Sequence, residues 1–356
     1  MTAQLGKYAP IRIGFIGAGE NTRLRHLPGF KAIPGVELAA VANRSRASAT
    51  AVAETWGVTQ VCDCAAGIIE DPAIDAVCIG TWPDTHAALT IAALEAGKHV
   101  LVEARMAANL AEARRMVAAS GARPQQVAQI VPSPFSLDLD ATVADFIASG
   151  RLGELEEIRI HQTWGLFLDP AAPISWRQRQ DRSGVNILTF GIFHEIAERW
   201  FPDLVLRRVT ACGFNRVPER PDPEHPGRTR RVDIPDRLEM RGETTEGVAL
   251  NYRFSAIEMG PPESRVELVG SRARLVADLS DATLTVFSGS LRGEGVSVPA
   301  QTRRGWCVEA DFVDSIRLAK PVRLTSFQNG LRYMAVTQAV YDSVYRGGPW
   351  VDVETL

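Results

Sequence analysis

Lysine is nearly missing from this 356-residue chain: its thirty-nine basic side chains include only Lys7, Lys31, Lys98 and Lys320. Any chemistry that needs an amine must draw on those four or do without. Cysteine is sparse as well. The five thiols form no Cys-x-x-Cys pair, and the Cys62/Cys64 spacing suits neither a zinc knuckle nor a redox pair. Reduced thiols packed as small hydrophobes are expected, and no metal site. No apolar run approaches the roughly 20 residues a membrane helix needs. Met1 to Pro10 lacks the basic start and apolar core of a signal peptide. A membrane partner is therefore not expected, and a cytoplasmic address is. With a net charge of −3 and no basic block interleaved with aromatics, nucleic acid is not an expected partner either.

What is present reads as an ordinary soluble α/β chain, 46% hydrophobic and 23% charged, long enough for two domains. Arg12 to Ile16 is a short apolar strand that runs into Gly17-Ala18-Gly19, and a helical pattern with Leu24, Leu27 and Phe30 on one side follows. Strand, glycines and helix in that order are what a dinucleotide loop requires. Gly17 allows the tight turn. Gly19 lets the backbone approach a pyrophosphate at the helix start, where Glu20 and Asn21 stand. The third glycine of the pattern is replaced by Thr22.

A second strand, Val36 to Ala42, ends at Asn43-Arg44-Ser45. An NAD enzyme places an acid near here for the ribose 2′-hydroxyl. This chain offers a guanidinium and a hydroxyl instead, which suit a 2′-phosphate, so NADP is expected with NAD as the alternative. Arg44 stacking on adenine or capping the next helix is the plainer reading. Ala73 to Gly80 reads as a buried strand, Thr81-Trp82-Pro83-Asp84-Thr85-His86 opens a helix, and Lys98 to Val102 is the next parallel strand. Alternation of strand and helix across the first ~130 residues implies a doubly wound parallel sheet. Lys98 falls at the wrong end of its strand for ligand work, whereas Glu103 and Arg105 fall at the C-terminal end.

The stretch Gly97-Lys98-His99-Val100-Leu101-Val102-Glu103-Ala104-Arg105 resembles the Gly-Lys-His-Val-x-x-Glu-Lys-Pro signature of the glucose–fructose oxidoreductase / inositol dehydrogenase (Gfo/Idh/MocA) family. The Thr-x-Pro-x-x-His segment from Thr81 to His86 and the Gly-x-Leu-Gly turn from Gly150 to Gly153 carry the same resemblance. It implies a Rossmann-type domain over residues 1–131. It also implies an α+β domain over 132–356 with a large, mostly antiparallel open sheet, whose C-terminal helices pack back on the first domain. Homodimers or homotetramers built on the exposed sheet face are implied by resemblance alone, as is a nicotinamide half lined by Thr81, Trp82, Pro83 and His86. The family's proton-carrying lysine is Ala104 here, and its proline is Arg105. The family's Asp-x-Gly-x-His motif reads Thr189-Phe190-Gly191-Ile192-Phe193-His194: the Asp is gone, and the Gly and His cannot both be aligned.

After Val131 to Phe135 the chain changes character. A helix spans Asp138 to Ser149. Strands at Glu157–Trp164, Arg207–Phe214, Gly247–Ser255, Ser264–Gly270, Ala273–Leu279 and Thr283–Phe287 follow without intervening helices. Helices at Cys307–Ala319 and Ser326–Tyr345 close the chain.

Hydride transfer at a hydroxylated carbon needs a base for the hydroxyl proton. Arg105 stays protonated, so its roles are binding a carboxylate or stabilising an oxyanion. His194 is the expected proton carrier and His161 the reserve, with Glu103 beside them. Arg177 and Arg182 are substrate candidates for an anion pocket. The expected activity is an NAD(P)-dependent oxidoreductase acting on a sugar, cyclitol or sugar acid. Two alternatives stand beside it: transient use of nicotinamide for elimination or glycoside cleavage, and a non-catalytic cofactor sensor or scaffold.

Overall fold

The computed structural model describes residues 9–289 and 292–356, so the N-terminal stretch with Lys7 lies outside the described residues. The chain divides into two units, Met1–Pro132 with Cys307–Leu331, and Ser133–Trp306 with Arg332–Leu356. The segment 307–331 groups with residues 1–132.

In the first unit six strands, β1 (Ile11–Ile16), β2 (Val36–Ala42), β3 (Gln60–Val61), β4 (Ala76–Ile79), β5 (His99–Val102) and β6 (Ala128–Ile130), form one sheet in the order β3-β2-β1-β4-β5-β6. Every pair is parallel. Between them run α1 (Leu27–Lys31), α2 (Arg46–Trp56), α3 (Ala66–Ile69), α4 (Pro83–Glu95) and α5 (Leu110–Gly121). The strands read as unbroken apolar runs because helices cover both faces; all four residues of β4 are buried. Strand order reverses between β1 and β4, which opens a crevice at the C-terminal strand ends.

The helix after the glycine loop differs from the periodic reading. Thr22–His26 is a π-helical turn in which Leu27 N–H reaches the Thr22 carbonyl. The wider turn rotates Leu24 outward, to 66% exposure, and turns His26 fully inward beside Leu27 and Phe30. The helix Val308–Leu318 joins this unit through specific contacts. Phe312 meets Phe30 edge-on at 6.3 Å. Arg317 Nη2 donates to the carbonyl oxygens of Pro34 and Gly35 at 2.7 and 3.1 Å. Thr325 O accepts from Ile130 N at 3.0 Å.

The second unit begins with α6 (Asp140–Ala148), β7 (Leu155–Thr163), α7 (Gln180–Ser183) and α8 (Phe190–Trp200). The run β8 (Leu206–Phe214), β9 (Glu219–Pro221), β10 (Thr229–Arg231), β11 (Arg237–Thr244), β12 (Ala249–Ser255), β13 (Glu263–Gly270), β14 (Arg274–Asp278), β15 (Thr283–Phe287) and β16 (Glu294–Val296) follows. The chain closes with α9 (Val308–Leu318), α10 (Phe327–Tyr345) and β17 (Val351–Asp352). Nine of these strands form a sheet ordered β16-β15-β14-β13-β7-β12-β11-β8-β17, and only β7 and β12 run parallel. The sequence reading missed β11 because Arg237, Glu239 and Arg241 put charge on alternate positions; the intervening Leu238 and Met240 are buried. The unit's core lies between one sheet face and α8, around Ile158, Ile160, Phe190, Phe193, Ile196 and Phe254. Among the described residues no helix is long and apolar enough to cross a membrane. The five cysteines are free; Cys62 and Cys78 are buried as expected, but Cys64 and Cys212 are exposed.

Candidate functional site

The glycine loop is held by short backbone bonds at the ends of three strands. Gly17 N donates to Ala42 O and Gly80 N to Ile16 O, both at 2.8 Å. Asn43 Oδ1 accepts from Ala18 N at 2.7 Å. Gly17 sits at φ +82°, and a Cβ there would lie 2.6 Å from Thr81 Cγ2. Gly80 is tighter still: a Cβ would fall 2.2 Å from Thr22 Oγ1 and 2.4 Å from Gly17 O. Thr22 occupies the missing glycine's place, and its hydroxyl donates to Gly17 O at 3.3 Å. At Gly19, by contrast, a Cβ would meet nothing nearer than Gly80 O at 3.5 Å. Space is left open where a pyrophosphate would approach and closed where the loop packs on β4. The residues present therefore fit a dinucleotide.

Around that loop the expected cofactor residues take definite positions. Asn43 is occupied by the loop, and Ser45 caps α2, its hydroxyl accepting from Ser48 N at 3.3 Å. Arg44 lies 4.8 Å over the ring of Trp82, which precedes Pro83 at the start of α4. Asn43 and Ser45 thus serve the protein, and Arg44 rests on Trp82. His86 is fully buried with Nδ1 donating to Arg105 O at 2.8 Å and Nε2 3.1 Å from Thr81 O. Burial holds its pKa below the usual imidazole value, so it is a neutral strut. Lys98 is also structural, donating from Nζ to Asp71 O at 2.6 Å and Ile74 O at 2.7 Å.

The strongest electrostatic feature of this unit was not anticipated. His26, wholly buried, lies between two carboxylates, Glu309 Oε1 at 2.6 Å from Nδ1 and Glu103 Oε1 at 3.0 Å from Nε2. Burial alone would lower its pKa, but the bonds and charges of Glu103 and Glu309 outweigh this and raise it to about 9. His26 in turn, with Asn21 Nδ2 donating to Glu103, overcomes burial of Glu103 and holds its pKa below the usual carboxylate value. Glu103 is thereby fixed as an anion at the C-terminal end of β5, beside the loop. The apolar spacing of Leu24, Leu27 and Phe30 marks a helix face and carries no signal for His26.

In the second unit the expected residues scatter. His194 is 1% exposed, with Nδ1 3.2 Å from the Tyr252 hydroxyl, Nε2 3.5 Å from Glu198 Oε1, and its ring stacked on Phe190 at 5.8 Å. It packs as a structural residue between Phe190, Tyr252 and Glu198, at the wall of a cleft of this unit, whereas Phe193 meets Phe135. Burial keeps Tyr252 protonated far above its usual range. His194→Ala is expected to cost about 1–3 kcal/mol of stability by orphaning Tyr252 and to leave the pH profile of turnover unchanged. A changed profile at unchanged thermal midpoint would reverse this assignment. His161 points to the opposite, open sheet face, 3.5 Å from Glu263 Oε2 and near Arg253, and does not share a face with Gln162.

The arginines expected to form an anion pocket have contacts of their own. Arg179 pairs with Asp181 at 2.8 Å and Glu224 at 2.9 Å, Arg182 lies 3.8 and 3.7 Å from the same two carboxylates, and Arg177 stacks on Trp176 at 4.3 Å. Two carboxylates thus engage Arg179 and Arg182 of that loop. At the positions of the altered motif, Phe193 stacks on Phe135 at 5.0 Å and Thr189 Oγ1 donates to Gln162 Oε1 at 3.0 Å.

Comparison with known proteins gives a consistent result. Residues 11–129 match the GFO_IDH_MocA profile, described as "Oxidoreductase family, NAD-binding Rossmann fold", and residues 141–276 match the GFO/IDH/MocA C-terminal domain. The chain is 28% identical to dTDP-3,4-didehydro-2,6-dideoxy-alpha-D-glucose 3-reductase of Saccharopolyspora spinosa, over 76% of this chain and 75% of that one. It is 33% identical to the uncharacterized oxidoreductase YdgJ of Escherichia coli (strain K12), over 57% of this chain but only 54% of that protein. A levoglucosan dehydrogenase solved with NADH and L-sorbose superposes with a TM-score of 0.84 at 22% identity, covering 97% of this chain and 99% of that one.

Proposed function

The chain belongs to the GFO/IDH/MocA oxidoreductase family, and from that premise we propose an NADP(H)-dependent oxidoreductase acting on a hydroxyl or carbonyl of a carbohydrate, cyclitol or sugar acid. The observation that carries this reading is the loop at the C-terminal ends of β1 and β4, closed at Gly17 and Gly80 and open at Gly19. Gly17, Gly19, Glu20 and Asn21 would hold the pyrophosphate side of the cofactor, and Thr81, Trp82 and Pro83 its nicotinamide side. Bound there, a nicotinamide supplies hydride exchange with a carbon of the substrate. Support for a sugar-like substrate comes from the relatives, one a sugar 3-reductase and one solved with L-sorbose.

NADP is favoured over NAD by the end of β2. The run Asn43-Arg44-Ser45 contains no carboxylate to accept from a ribose 2′-hydroxyl, and Arg44 presents a guanidinium backed by Trp82. Arg44→Ala is expected to weaken NADPH binding by about 1.5–3 kcal/mol while leaving NADH binding little changed. Equal losses for both cofactors would remove the NADP assignment.

The chain's own contribution to the chemistry is charge rather than a base. Ala104 has no ionisable group, and Arg105 is fixed as a cation that can stabilise negative charge growing on the substrate oxygen. The proton then exchanges with water. A missing general base typically costs about 10²–10⁴-fold in rate, so slow turnover is part of the proposal. The packed Phe135–Phe193 pair favours a second reading, a cofactor-binding protein without turnover. Turnover of any sugar with NADPH separates the two. For assembly, the open face of the nine-stranded sheet is assigned to a second copy of the chain, on the strength of the family resemblance.

A further inference from the structure

Three charged side chains and an amide are linked in series inside the first unit, and the series ends at the glycine loop. Glu309 of α9 accepts from His26 Nδ1 at 2.6 Å, and Glu103, just past β5, accepts from His26 Nε2 at 3.0 Å. Glu103 Oε1 also accepts from Asn21 Nδ2, two residues beyond Gly19. Asn21 and His26 are five residues apart, a spacing that an α-helix would turn about 140° from each other. The π-helical turn Thr22–His26 lies between them and lets both reach the same oxygen. Glu309 is held from behind as well. A Cβ at Gly29 of α1 would fall 2.6 Å from its Oε2, so the carboxylate fills the space that glycine leaves.

The charges in this series do not cancel. Two carboxylates stand against one imidazolium, which leaves one negative charge in excess, and loss of the imidazolium proton makes the excess two. His26 and Glu309 are 0% and 3% exposed, whereas Glu103 is 14% exposed beside the loop. A pyrophosphate brought to that loop is itself an anion, so an uncompensated Glu103 would oppose it. The other titratable groups close to the two carboxylates are Cys78 of β4 and His86 of α4. Burial and the carboxylates keep Cys78 a thiol, and burial keeps His86 neutral. We propose that His26 is a positioning residue for the dinucleotide: its imidazolium holds Glu103 on Asn21 and supplies the counter-charge that lets a carboxylate stand beside a phosphate-binding loop. This role rests on the dinucleotide reading of the loop.

Affinities of the whole protein for NADPH and NADH between pH 7 and 10.5, from nicotinamide fluorescence, test the role, with near-ultraviolet circular dichroism showing the fold at each pH. An anionic ligand favours the protonated cluster. Affinity is therefore expected to be level below the folded pKa of about 9 and to fall on the order of tenfold above it. NADH should follow NADPH, because the pyrophosphate and not the 2′-phosphate is the group concerned. Glu309→Gln keeps an acceptor for Nδ1 and removes one carboxylate charge, two links away from Asn21. The fall should then begin at lower pH, because less negative charge holds the proton; a loss of stability alone would not move that midpoint. If Glu309→Gln does not fold, the wild-type profile carries the test. Binding of neither cofactor at pH 7 would overturn the cofactor reading and this role with it. Tight binding at pH 7 with a level profile to pH 10.5, or an unmoved midpoint in Glu309→Gln, would overturn this role alone.

Discussion

His26→Ala is expected to destabilise the first unit by about 3–5 kcal/mol, the loss typical of breaking a buried ion pair. The ring lies between Glu103 and Glu309 with no solvent access, so its removal leaves two carboxylates facing one another across a cavity. The pH dependence gives an independent check. The folded pKa of about 9 exceeds the unfolded value near 6.5. A raised pKa contributes stability that is fully present below the unfolded value and disappears as pH rises through the folded one. Over that interval the loss amounts to about 3 kcal/mol. Denaturant unfolding of the intact protein between pH 6.5 and 9.5 should show this slope, and His26→Ala should lack it. A flat wild-type profile across that window would mean that the folded site holds no proton beyond those of the unfolded chain, and would contradict the charged imidazole. Glu103 enters the same linkage from the acid side, where its lowered pKa delays loss of the pair as pH falls. That is the same interaction seen from its other end and adds no second increment.

Gly80→Ala should abolish measurable cofactor binding and cost about 1–3 kcal/mol of stability, as overpacked sites do. The added methyl would overlap Thr22 Oγ1 and the Gly17 carbonyl at 2.2 and 2.4 Å, and backbone cannot swing aside as a flexible side-chain end can. Gly19→Ala is the informative contrast. Its methyl would meet only Gly80 O at 3.5 Å, so stability should hold while binding falls, because the methyl takes up space the pyrophosphate needs. Thermal midpoints and nicotinamide titrations of both variants, read together, separate a structural glycine from a ligand-facing one. Equal stability losses in the two would remove the distinction.

The architecture of the first unit could be read from the chain because parallel strands buried on both faces leave a plain signal. Runs such as Ala76–Ile79 are apolar throughout, and glycines punctuate their ends. The sheet of the second unit was readable where alternation was clean, as in Ser264–Gly270, and lost where charge occupied the open face, as in Arg237–Thr244. Site residues proved harder. The position of Gly17 followed from local turn chemistry, but the need for Gly80 depends on Thr22, fifty-eight residues away in sequence. His26 became central because a π-helical turn changed the phase of its helix, and its partner Glu309 comes from 283 residues further along. The placement of His194 was hard to read for a related reason. Helical phase alone decides whether position 193 or 194 faces the Phe135 side, and the structure gives that side to Phe193. The altered Glu-Ala-Arg segment was legible as a loss at once, since no packing can restore an amine that the chain does not encode.

The central claim, that the loop between β1 and α1 receives a phosphorylated nicotinamide dinucleotide, is tested most directly by titrating the purified protein with NADPH and NADH and following nicotinamide fluorescence. Saturable binding of both, with NADPH the tighter, is the expected result. Binding of neither would contradict the claim and make the glycine loop a structural turn; tighter binding of NADH would keep the loop and overturn the role given to Arg44.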